Sequence, residues 1–308
     1  MTRKIIRRLL IAIVALVIVL VAGIVANKYV AARKAGDMKE VHFQEIAQGI
    51  YTLAEPVTHT NIYMVVGEEK AMLIDTGNGM SHLADAIVEV TDLPVMVVNT
   101  HGHFDSMGGN YQFDKVYIAE KEMKLAADAN EEYSIRKLYH RTQPQISGWM
   151  EESFVGAQLK LPDEEEYEPL PERAFIELGD RLIKKIELPG HTAGAVGFLD
   201  VKTGKLFCGD ALHASKLRID LDESVSVEDE LETLKMLKEF AHSGEITSMY
   251  TAHDRPRVKS DILDKYIDIL EMIVNGELSE EQMQSGYVKA NGVGVYFQQT
   301  KIEKNSTK

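Results

Sequence analysis

Cysteine is scarce in this chain, and basic residues are fewer than acidic ones. Because Cys208 is the one cysteine in 308 residues, no intrachain disulfide can form, and the count does not distinguish a reducing from an oxidising compartment. The 34 lysines and arginines are outnumbered by 48 aspartates and glutamates, which gives a net charge of −14. Since a surface this acidic repels phosphate backbones, we expect no nucleic-acid partner.

Internal repeats, proline-rich linkers and low-complexity tracts are absent after residue 36. The 45% of hydrophobic residues is enough for a large core. We therefore predict one continuous domain over residues 37–308. Its segment at about 120–172 is helical in pattern at first and then rich in charge and proline, and we interpret this segment as an insertion beside the functional site.

The N-terminus holds a long apolar run. From Leu9 to Ala26 every residue is apolar or glycine, and at about 1.5 Å per residue such a helix nearly crosses a hydrocarbon core of about 30 Å. Basic residues flank the run on both sides: Arg3, Lys4, Arg7 and Arg8 before it, Lys28, Arg33 and Lys34 after it. We predict a transmembrane helix within residues 1–36 that anchors an extracytoplasmic domain to the cell membrane. The alternative is a cleaved signal peptide and secretion, since Val30, Ala31 and Ala32 resemble a cleavage site.

Strand and helix patterns alternate through the rest of the chain. Short β-rich runs with glycine, asparagine or aspartate turns between them occupy residues 61–66, 71–74, 95–98, 116–118, 182–188, 195–200 and 248–251. One amphipathic helix is predicted to start after Ser226, and another after Ser260 with its end at Asn275 and Gly276. This mixture favours a layered α/β or α+β fold.

Four apolar, β-like runs, at residues 95–98, 186–189, 206–209 and 249–252, lead to side chains of types that bind metals. These are the segment His101-Gly102-His103-Phe104-Asp105, then His191 after Gly190, Asp210 after Gly209, and His253. Ligands at strand ends sit on a rigid scaffold, while the loops beyond them shape a cleft. The pattern therefore predicts a metal site that is both rigid and open.

The first of these segments has the most specific spacing. In extended backbone, residues two apart point the same way, so His101 and His103 can hold one ion. Asp105 can reach a neighbouring ion if the chain turns after it, and we expect Gly108 and Gly109 to supply that turn. A catalytic zinc site uses three imidazole or carboxylate ligands and keeps one position open for water. We predict one such site from His101, His103 and His191, and a second from Asp105, Asp210 and His253, with Asp210 able to bridge the two.

The order of the motifs resembles the metallo-β-lactamase superfamily. The resemblance covers about Val41 to Tyr266 and rests on Leu73-Ile74-Asp75-Thr76-Gly77, on the segment from His101 to Asp105, and on Gly190-His191, Gly209-Asp210 and His253. It implies an α+β fold in the form of a four-layer αββα sandwich. It also implies a dizinc centre that hydrolyses esters, amides, thioesters or phosphoesters, with Asp75 orienting the ligands or the turn that bears them.

The sequence departs from the common pattern of this family at Ser106. Most hydrolases of the superfamily have a second-site histidine there, so the second site is expected to bind its ion more weakly, and Ser106 is expected to lie beside the ligands. Zinc β-lactamases of the first subclass also lack that histidine, but they normally use cysteine where this chain has Asp210. Cys208, on the same strand face, is a candidate nearby thiol. His213 is a candidate substrate contact, since many zinc β-lactamases place there a lysine that holds the substrate carboxylate.

The resulting hypothesis is a zinc-dependent hydrolase that uses metal-bound hydroxide to attack a small-molecule substrate. Asp105 and Asp210 are the predicted catalytic residues, and one or two zinc ions are the expected cofactor, with iron or manganese as alternatives. Three other functions stay open: a β-lactamase proper, an iron-dependent oxidoreductase like the persulfide dioxygenases of the superfamily, and a non-catalytic, membrane-tethered binding domain. The sequence does not specify the scissile bond or the oligomeric state.

Overall fold

The computed structural model describes residues 40–302 without 56–58, 80 and 133–161, together with Gly23. The predicted N-terminal anchor and the middle of the predicted insertion therefore lie outside the described residues. Within the part that is described, no helix has both the length and the apolar character needed to cross a bilayer.

The described residues form strands and helices that alternate along the chain. The strands are β1 Gln44–Ala47, β2 Ile50–Ala54, β3 Asn61–Val66, β4 Ala71–Ile74, β5 Val95–Val98, β6 Val116–Ile118, β7 Glu168–Pro169, β8 Phe175–Glu177, β9 Leu182–Glu187, β10 Val196–Asp200, β11 Lys205–Gly209, β12 Lys216–Ile219, β13 Ser248–Thr251, β14 Arg257–Val258, β15 Tyr287–Ala290 and β16 Val293–Phe297. The helices are α1 Leu83–Val88, α2 Phe104–Met107, α3 Glu120–Glu132, α4 Val227–His242, α5 Asp261–Val274 and α6 Glu280–Ser285, and short 3-10 turns cover Asn110–Gln112, Glu164–Glu166 and Gln299–Lys301. The seven predicted strand runs coincide with β3, β4, β5, β6, β9, β10 and β13 to within one residue at either end.

Two of the three sheets face each other. One runs in the order β1-β2-β3-β4-β5-β6-β7, and the other in the order β14-β13-β11-β10-β9-β8. Strands β4, β5, β6 and β7 are parallel, and so are β11 and β13. The carboxyl ends of parallel strands meet at one edge of a sheet, so residues that follow β4, β5, β11 and β13 can converge.

Successive side chains of a strand point to opposite faces of its sheet, and this alternation produces four layers of secondary structure. In β4, Leu73 packs against the cluster that contains α1 and α3, whereas Met72 and Ile74 point into the cluster between the two sheets. In β11, Phe207 points between the sheets, whereas Leu206 packs beneath α4 and α5. Both faces of each sheet are therefore buried, and the observed order of helices, sheet, sheet and helices is the αββα sandwich that the resemblance implies.

A third sheet extends the helical layer at the C-terminal end. It has the order β12-β16-β15, and its β12 and β16 are parallel. Val288, Val293 and Val295 from this sheet join the hydrophobic cluster of α4 and α5. Sequence analysis predicted none of these three strands.

The two ends of the predicted insertion are integrated into the sandwich. Helix α3 buries Ala126 and Ala129 against the first sheet, and β7 pairs in parallel with β6 at the edge of that sheet. Residues 133–161 of the segment are outside the described residues.

Candidate metal centre

The three predicted histidines of the first site lie together at one edge of the sandwich. His101 and His103 are in the loop after β5, and His191 is in the loop between β9 and β10. One ring nitrogen from each lies within 4.8 Å of the others. The ring centroids of His103 are 4.8 Å from those of both His101 and His191, and the rings are close to perpendicular.

Hydrogen bonds determine which ring nitrogen of His101 carries the proton and which has a lone pair available for a metal. The hydroxyl of Thr100 donates its one proton to Asp75 Oδ2 at 2.9 Å, and its oxygen lies 3.1 Å from His101 Nδ1. The hydroxyl oxygen can then only accept from His101, so Nδ1 carries the ring proton and Nε2 has a lone pair. His101 Nε2 is buried and makes no hydrogen bond.

The other two histidines are fixed in the same way. His191 Nδ1 donates to the carbonyl oxygen of Arg218 at 2.8 Å, which leaves the lone pair on Nε2. His103 Nε2 donates to Glu223 Oε1 at 2.5 Å, which leaves the lone pair on Nδ1. These two free nitrogens face each other at 2.9 Å. Two lone pairs at this distance repel unless a proton or a cation lies between them.

Burial keeps two of the three imidazoles neutral. It lowers the pKa of His101 to about 3 and that of His191 to about 4. For His103 burial is the largest single effect and lowers the pKa, but the hydrogen bond to Glu223 and the negative charges of Asp105, Glu223 and Asp210 together outweigh it, and the pKa is raised. Neutral imidazole is the form that binds metals, so His101 and His191 are ready to bind without losing a proton.

Asp105, Asp210 and His253 form a second group beside the first. Their ligand atoms lie within 4.8 Å of one another. His253 Nε2 is 3.1 Å from Asp105 Oδ2 and 3.4 Å from Asp210 Oδ1. Burial opposes charge on all three, but their mutual attraction wins: the pKa of His253 is raised to about 11, and the pKa values of both aspartates are lowered. A protonated His253 thus supplies the positive charge between two carboxylates.

Asp210 faces both groups. Its Oδ2 lies 3.5 Å from His191 Nε2 in the first group, and its Oδ1 lies 3.4 Å from His253 Nε2 in the second. This is the arrangement that a bridging carboxylate requires. The structure therefore brings all six predicted ligands together, while their binding of a metal stays a prediction.

The chain turns after His103 in a different way from the one expected. Asp105 lies inside the short helix α2, which starts directly after His103. Gly108 has the ordinary helical φ of −60°, and the φ of Gly109 is −87°, so neither needs glycine for its backbone conformation. Close packing is the reason instead, because a Cβ at Gly108 would lie 2.7 Å from the backbone of Asn78, and one at Gly109 would lie 2.5 Å from the carbonyl oxygen of Thr76.

The remaining predicted residues surround the two groups. Asp75 is buried and accepts hydrogen bonds from the amide and hydroxyl of Thr100, at 2.8 and 2.9 Å, so it orients His101 through Thr100. Ser106 is fully buried and its hydroxyl makes no hydrogen bond. His213 is buried beside Asp210.

Cys208, the candidate nearby thiol, belongs to neither group. Its side chain packs in the hydrophobic cluster beneath α4 and α5, where burial raises its pKa to about 12.

Glu122, on α3, is a site residue that sequence analysis missed. Its Oε2 accepts a hydrogen bond from the amide of Gly102 at 2.9 Å, and its Oε1 accepts one from the amide of Gly194 at 2.7 Å. Gly102 lies between His101 and His103, and Gly194 follows His191 by three residues. One buried carboxylate therefore joins the two loops that carry the first group.

Glu223 is a second residue that was missed, and its loop is tied down from two sides. Ser224, next to Glu223, donates its hydroxyl proton to the carbonyl oxygen of His191 at 2.8 Å. Lys301, near the C-terminus, donates to the carbonyl oxygens of Leu221, Asp222 and Ser224. The C-terminal segment thereby holds the carboxylate that orients His103. No local spacing in the sequence indicates this contact, because the two partners are 120 residues apart.

The two groups have the donor chemistry of a divalent cation site. The first offers three imidazole lone pairs, and the second offers two ionised carboxylates and one imidazole, which are ligands that zinc accepts. The buried Nε2 of His101, which makes no hydrogen bond, gains a partner if a cation binds there. The residues present therefore fit such an ion.

Comparison with known proteins agrees with this geometry. The model of the metallo-β-lactamase superfamily matches residues 56–263. The chain belongs to the metallo-β-lactamase superfamily. Members of this superfamily typically bind a divalent metal, and the prediction of a metal-dependent hydrolase is confirmed at that level.

Relatives within the metallo-β-lactamase superfamily include two named hydrolases. The human protein "Acyl-coenzyme A thioesterase MBLAC2" is 27% identical over 232 residues, which cover 68% of this chain and 80% of the relative. The Haemophilus influenzae protein "Hydroxyacylglutathione hydrolase GloC" is 27% identical over 167 residues, which cover 51% of this chain and 69% of the relative. A solved metallo-β-lactamase from Pontibacter korlensis superposes with a TM-score of 0.53 at 18% identity, over 75% of this chain and 99% of that one. This last likeness concerns the fold alone.

Proposed function

We propose that this protein is a zinc-dependent hydrolase of acyl thioesters. The observation that carries the proposal is the pair of three-ligand groups that share Asp210 at one edge of the sandwich. The thioester is favoured because the two named relatives act, by their names, on acyl groups carried by coenzyme A and by glutathione, which are both thiols.

The ligand set favours zinc over iron. Three imidazoles, as in the group of His101, His103 and His191, form a common catalytic zinc site. The facial triad of non-haem iron oxygenases has two histidines and one carboxylate. Neither group has that composition, since the first has three imidazoles in addition to the shared Asp210 and the second has two carboxylates.

Differences in side-chain exposure indicate which side of the site is closed and which side is open to solvent. Side chains of Asp210 and His191 are each 7% exposed, whereas that of Asp105 is 34% exposed and that of His253 is 20% exposed. Glu223, beside His103, is 32% exposed. We infer that the substrate carbonyl enters past Asp105 and Glu223, with Asp210 beneath it.

Asp105 is placed to handle the proton of the attacking water. A divalent cation in such a site acts as a Lewis acid that lowers the pKa of water and polarises a carbonyl. His253 helps to hold the pKa of Asp105 below its usual range, so this carboxylate is ionised at neutral pH and can accept a hydrogen bond from water. Asp105 thereby orients the water and accepts its proton, while the buried Asp210 holds the two ligand groups together.

A panel of substrates tests the proposal. Zinc-loaded protein is offered an acyl-coenzyme A, an S-acylglutathione, nitrocefin and bis-p-nitrophenyl phosphate. We expect turnover of at least one thioester, with none by His103→Ala and with normal turnover by His242→Ala, a control at an exposed position in the last turn of α4. Turnover of nitrocefin without either thioester would indicate a β-lactamase, and no turnover by a fully loaded protein would indicate a binding domain.

Ionic strength separates the two thiol carriers. Coenzyme A carries several phosphate charges, and the protein has a net charge of −14. Salt screens such repulsion, so we expect the kcat/KM for acyl-coenzyme A to rise between 0.02 and 0.2 M salt, and that for S-acylglutathione to change less.

We also propose that residues 1–36 anchor this hydrolase in the cell membrane with its site on the extracytoplasmic side. The support is the apolar run from Leu9 to Ala26. Membrane fractionation of the full chain and of a chain that starts at residue 37 tests this, because the anchor predicts that the full chain alone sediments with membranes.

A further inference from the structure

His213 is buried and lacks the hydrogen bonds that a buried imidazole needs. It follows Asp210 by three residues and is 4% exposed. Neither of its ring nitrogens makes a hydrogen bond. A buried polar group without a partner costs roughly 1–3 kcal/mol, so such a group in a folded protein calls for a physical explanation.

The ring lies against His253 with one edge toward Asp210. The hydroxyl of Tyr266 donates to the backbone carbonyl of His213 at 3.0 Å, which fixes the main chain. The ring stacks on that of His253, with centroids 5.5 Å apart and planes inclined by 13°. Its Nε2 lies 3.7 Å from Asp210 Oδ2. The imidazole edge therefore faces the carboxylate between the two groups.

The separation of His213 Nε2 from Asp210 is slightly longer than that expected of two ligands on a common ion. Ligand atoms about 2.1 Å from a tetrahedral zinc ion lie about 3.4 Å from each other. The corresponding separations within the second group are 3.1 Å from His253 to Asp105 and 3.4 Å from His253 to Asp210. His213 is not among the three residues whose ligand atoms all lie within 4.8 Å of one another, and the Asp210 oxygen that its Nε2 approaches at 3.7 Å is Oδ2, which also faces His191. Its ring, however, lies against that of His253 in the second group.

We propose that His213 is a fourth ligand of the cation held by Asp105, Asp210 and His253, and not a contact for the substrate. This inference rests on the proposed function, because it assigns a ligand to the same metal centre. It gives a partner to Nε2, the buried ring nitrogen that faces the carboxylate of Asp210. It also supplies a histidine to the site that Ser106 leaves with three ligands.

Metal affinity, rather than activity, tests the inference. Metal-free wild type, His213→Ala, His213→Gln and the control His242→Ala are titrated with Zn²⁺ against a chromophoric chelator. We expect two tight equivalents for wild type and the control. Both His213 variants should bind the first equivalent normally and the second at least 10- to 100-fold more weakly, a loss at least as large as that caused by removing the partner of a ligand.

The glutamine variant distinguishes a ligand from a hydrogen-bond partner. A glutamine amide can donate a hydrogen bond to Asp210 but is a poor zinc ligand. Normal affinity of His213→Gln for the second equivalent would overturn the inference, as would normal affinity of His213→Ala. Proton NMR of the Co²⁺-loaded protein gives an independent readout, because each histidine ligand contributes a shifted, exchangeable N–H signal, and His213→Gln should have one fewer.

Failure of this inference is separable from failure of the proposed function. If the wild type binds two ions and hydrolyses a thioester while the His213 variants bind zinc normally, the inference alone is wrong. If the wild type binds no zinc at the first group, the proposed function is wrong, and the inference falls with it.

Discussion

Replacing Glu122 by glutamine should weaken both the fold and the metal site. The carboxylate is 2% exposed and accepts one hydrogen bond with each oxygen, from the amides of Gly102 and Gly194. A glutamine has nearly the same shape but only one acceptor, so its NH₂ group would face one of these amide N–H groups. The variant therefore tests the charge and the second acceptor with little change of volume.

The structure gives the size of the effect. A hydrogen bond to a charged group contributes about 1.5–3 kcal/mol, and the variant loses one such bond and leaves a buried N–H without an acceptor. We therefore expect the free energy of unfolding to fall by about 2–3 kcal/mol. With an unfolding entropy of about 2.1 cal/mol/K per residue over about 260 residues, this lowers the Tm by about 4–6 °C.

Calorimetry of metal-free protein measures the change in Tm. The matched control is Glu120→Gln, because Glu120 is in the first turn of the same helix but is exposed. Because the loops that Glu122 joins carry His101, His103 and His191, the affinity for the first zinc equivalent should fall as well, by at least 10-fold. A Tm for Glu122→Gln within about 1 °C of that of the control would refute the reasoning.

Three further predictions concern Glu223, Glu230 and His253. Glu223→Gln should weaken binding of the first zinc equivalent by about 10- to 100-fold in a chelator competition, because it removes the carboxylate that orients His103. Burial raises the pKa of Glu230 from 4.5 to about 8, so between these values the folded state holds a proton that the unfolded state has released. Stability should therefore decline as pH rises through this window, and Glu230→Gln should flatten the decline and stabilise the protein by a few kcal/mol above pH 8, measured by urea unfolding. Binding of the second zinc equivalent near pH 7 should release about one proton, because the pKa of His253 is raised to about 11 in the metal-free site, and calorimetry in two buffers of different ionisation enthalpy measures this release.

Each of these three has a result that contradicts it. Equal zinc affinity of wild type and Glu223→Gln would show that the contact with His103 does not matter for binding. Parallel pH profiles of wild type and Glu230→Gln would show that the buried carboxyl titrates normally. An observed heat independent of the buffer would show that His253 is neutral before the ion arrives.

Local patterns in the sequence were sufficient for the inner strands of the sandwich. Runs such as Ala71–Ile74 and Val95–Val98 are continuously apolar because both faces of each sheet are covered, and turn residues mark their ends. The third sheet was not predictable in this way. Strand β12 pairs with β16, and Lys216 lies opposite Gly294, so the formation of this sheet depends on a contact between residues far apart in the sequence.

The candidate site also contains residues that the sequence predicted and residues that it did not. The ligands were predictable because each follows a strand and because His101, His103 and Asp105 have a specific spacing. The residues that support them were not, since Glu122 acts on Gly194 from 72 residues away, and Glu223 acts on His103 from 120 residues away. A glutamate that accepts such bonds has the same local sequence pattern as one on a solvated surface.

The central claim is that two adjacent cations at this site allow the protein to hydrolyse a thioester. The most direct test is to titrate metal-free protein with Zn²⁺ while following release of the free thiol from an acyl thioester. The account predicts no turnover without metal and a rise in rate that saturates once one ion per ligand group has been added. Full turnover by the metal-free protein, or none by the fully loaded protein with any thioester, would contradict it.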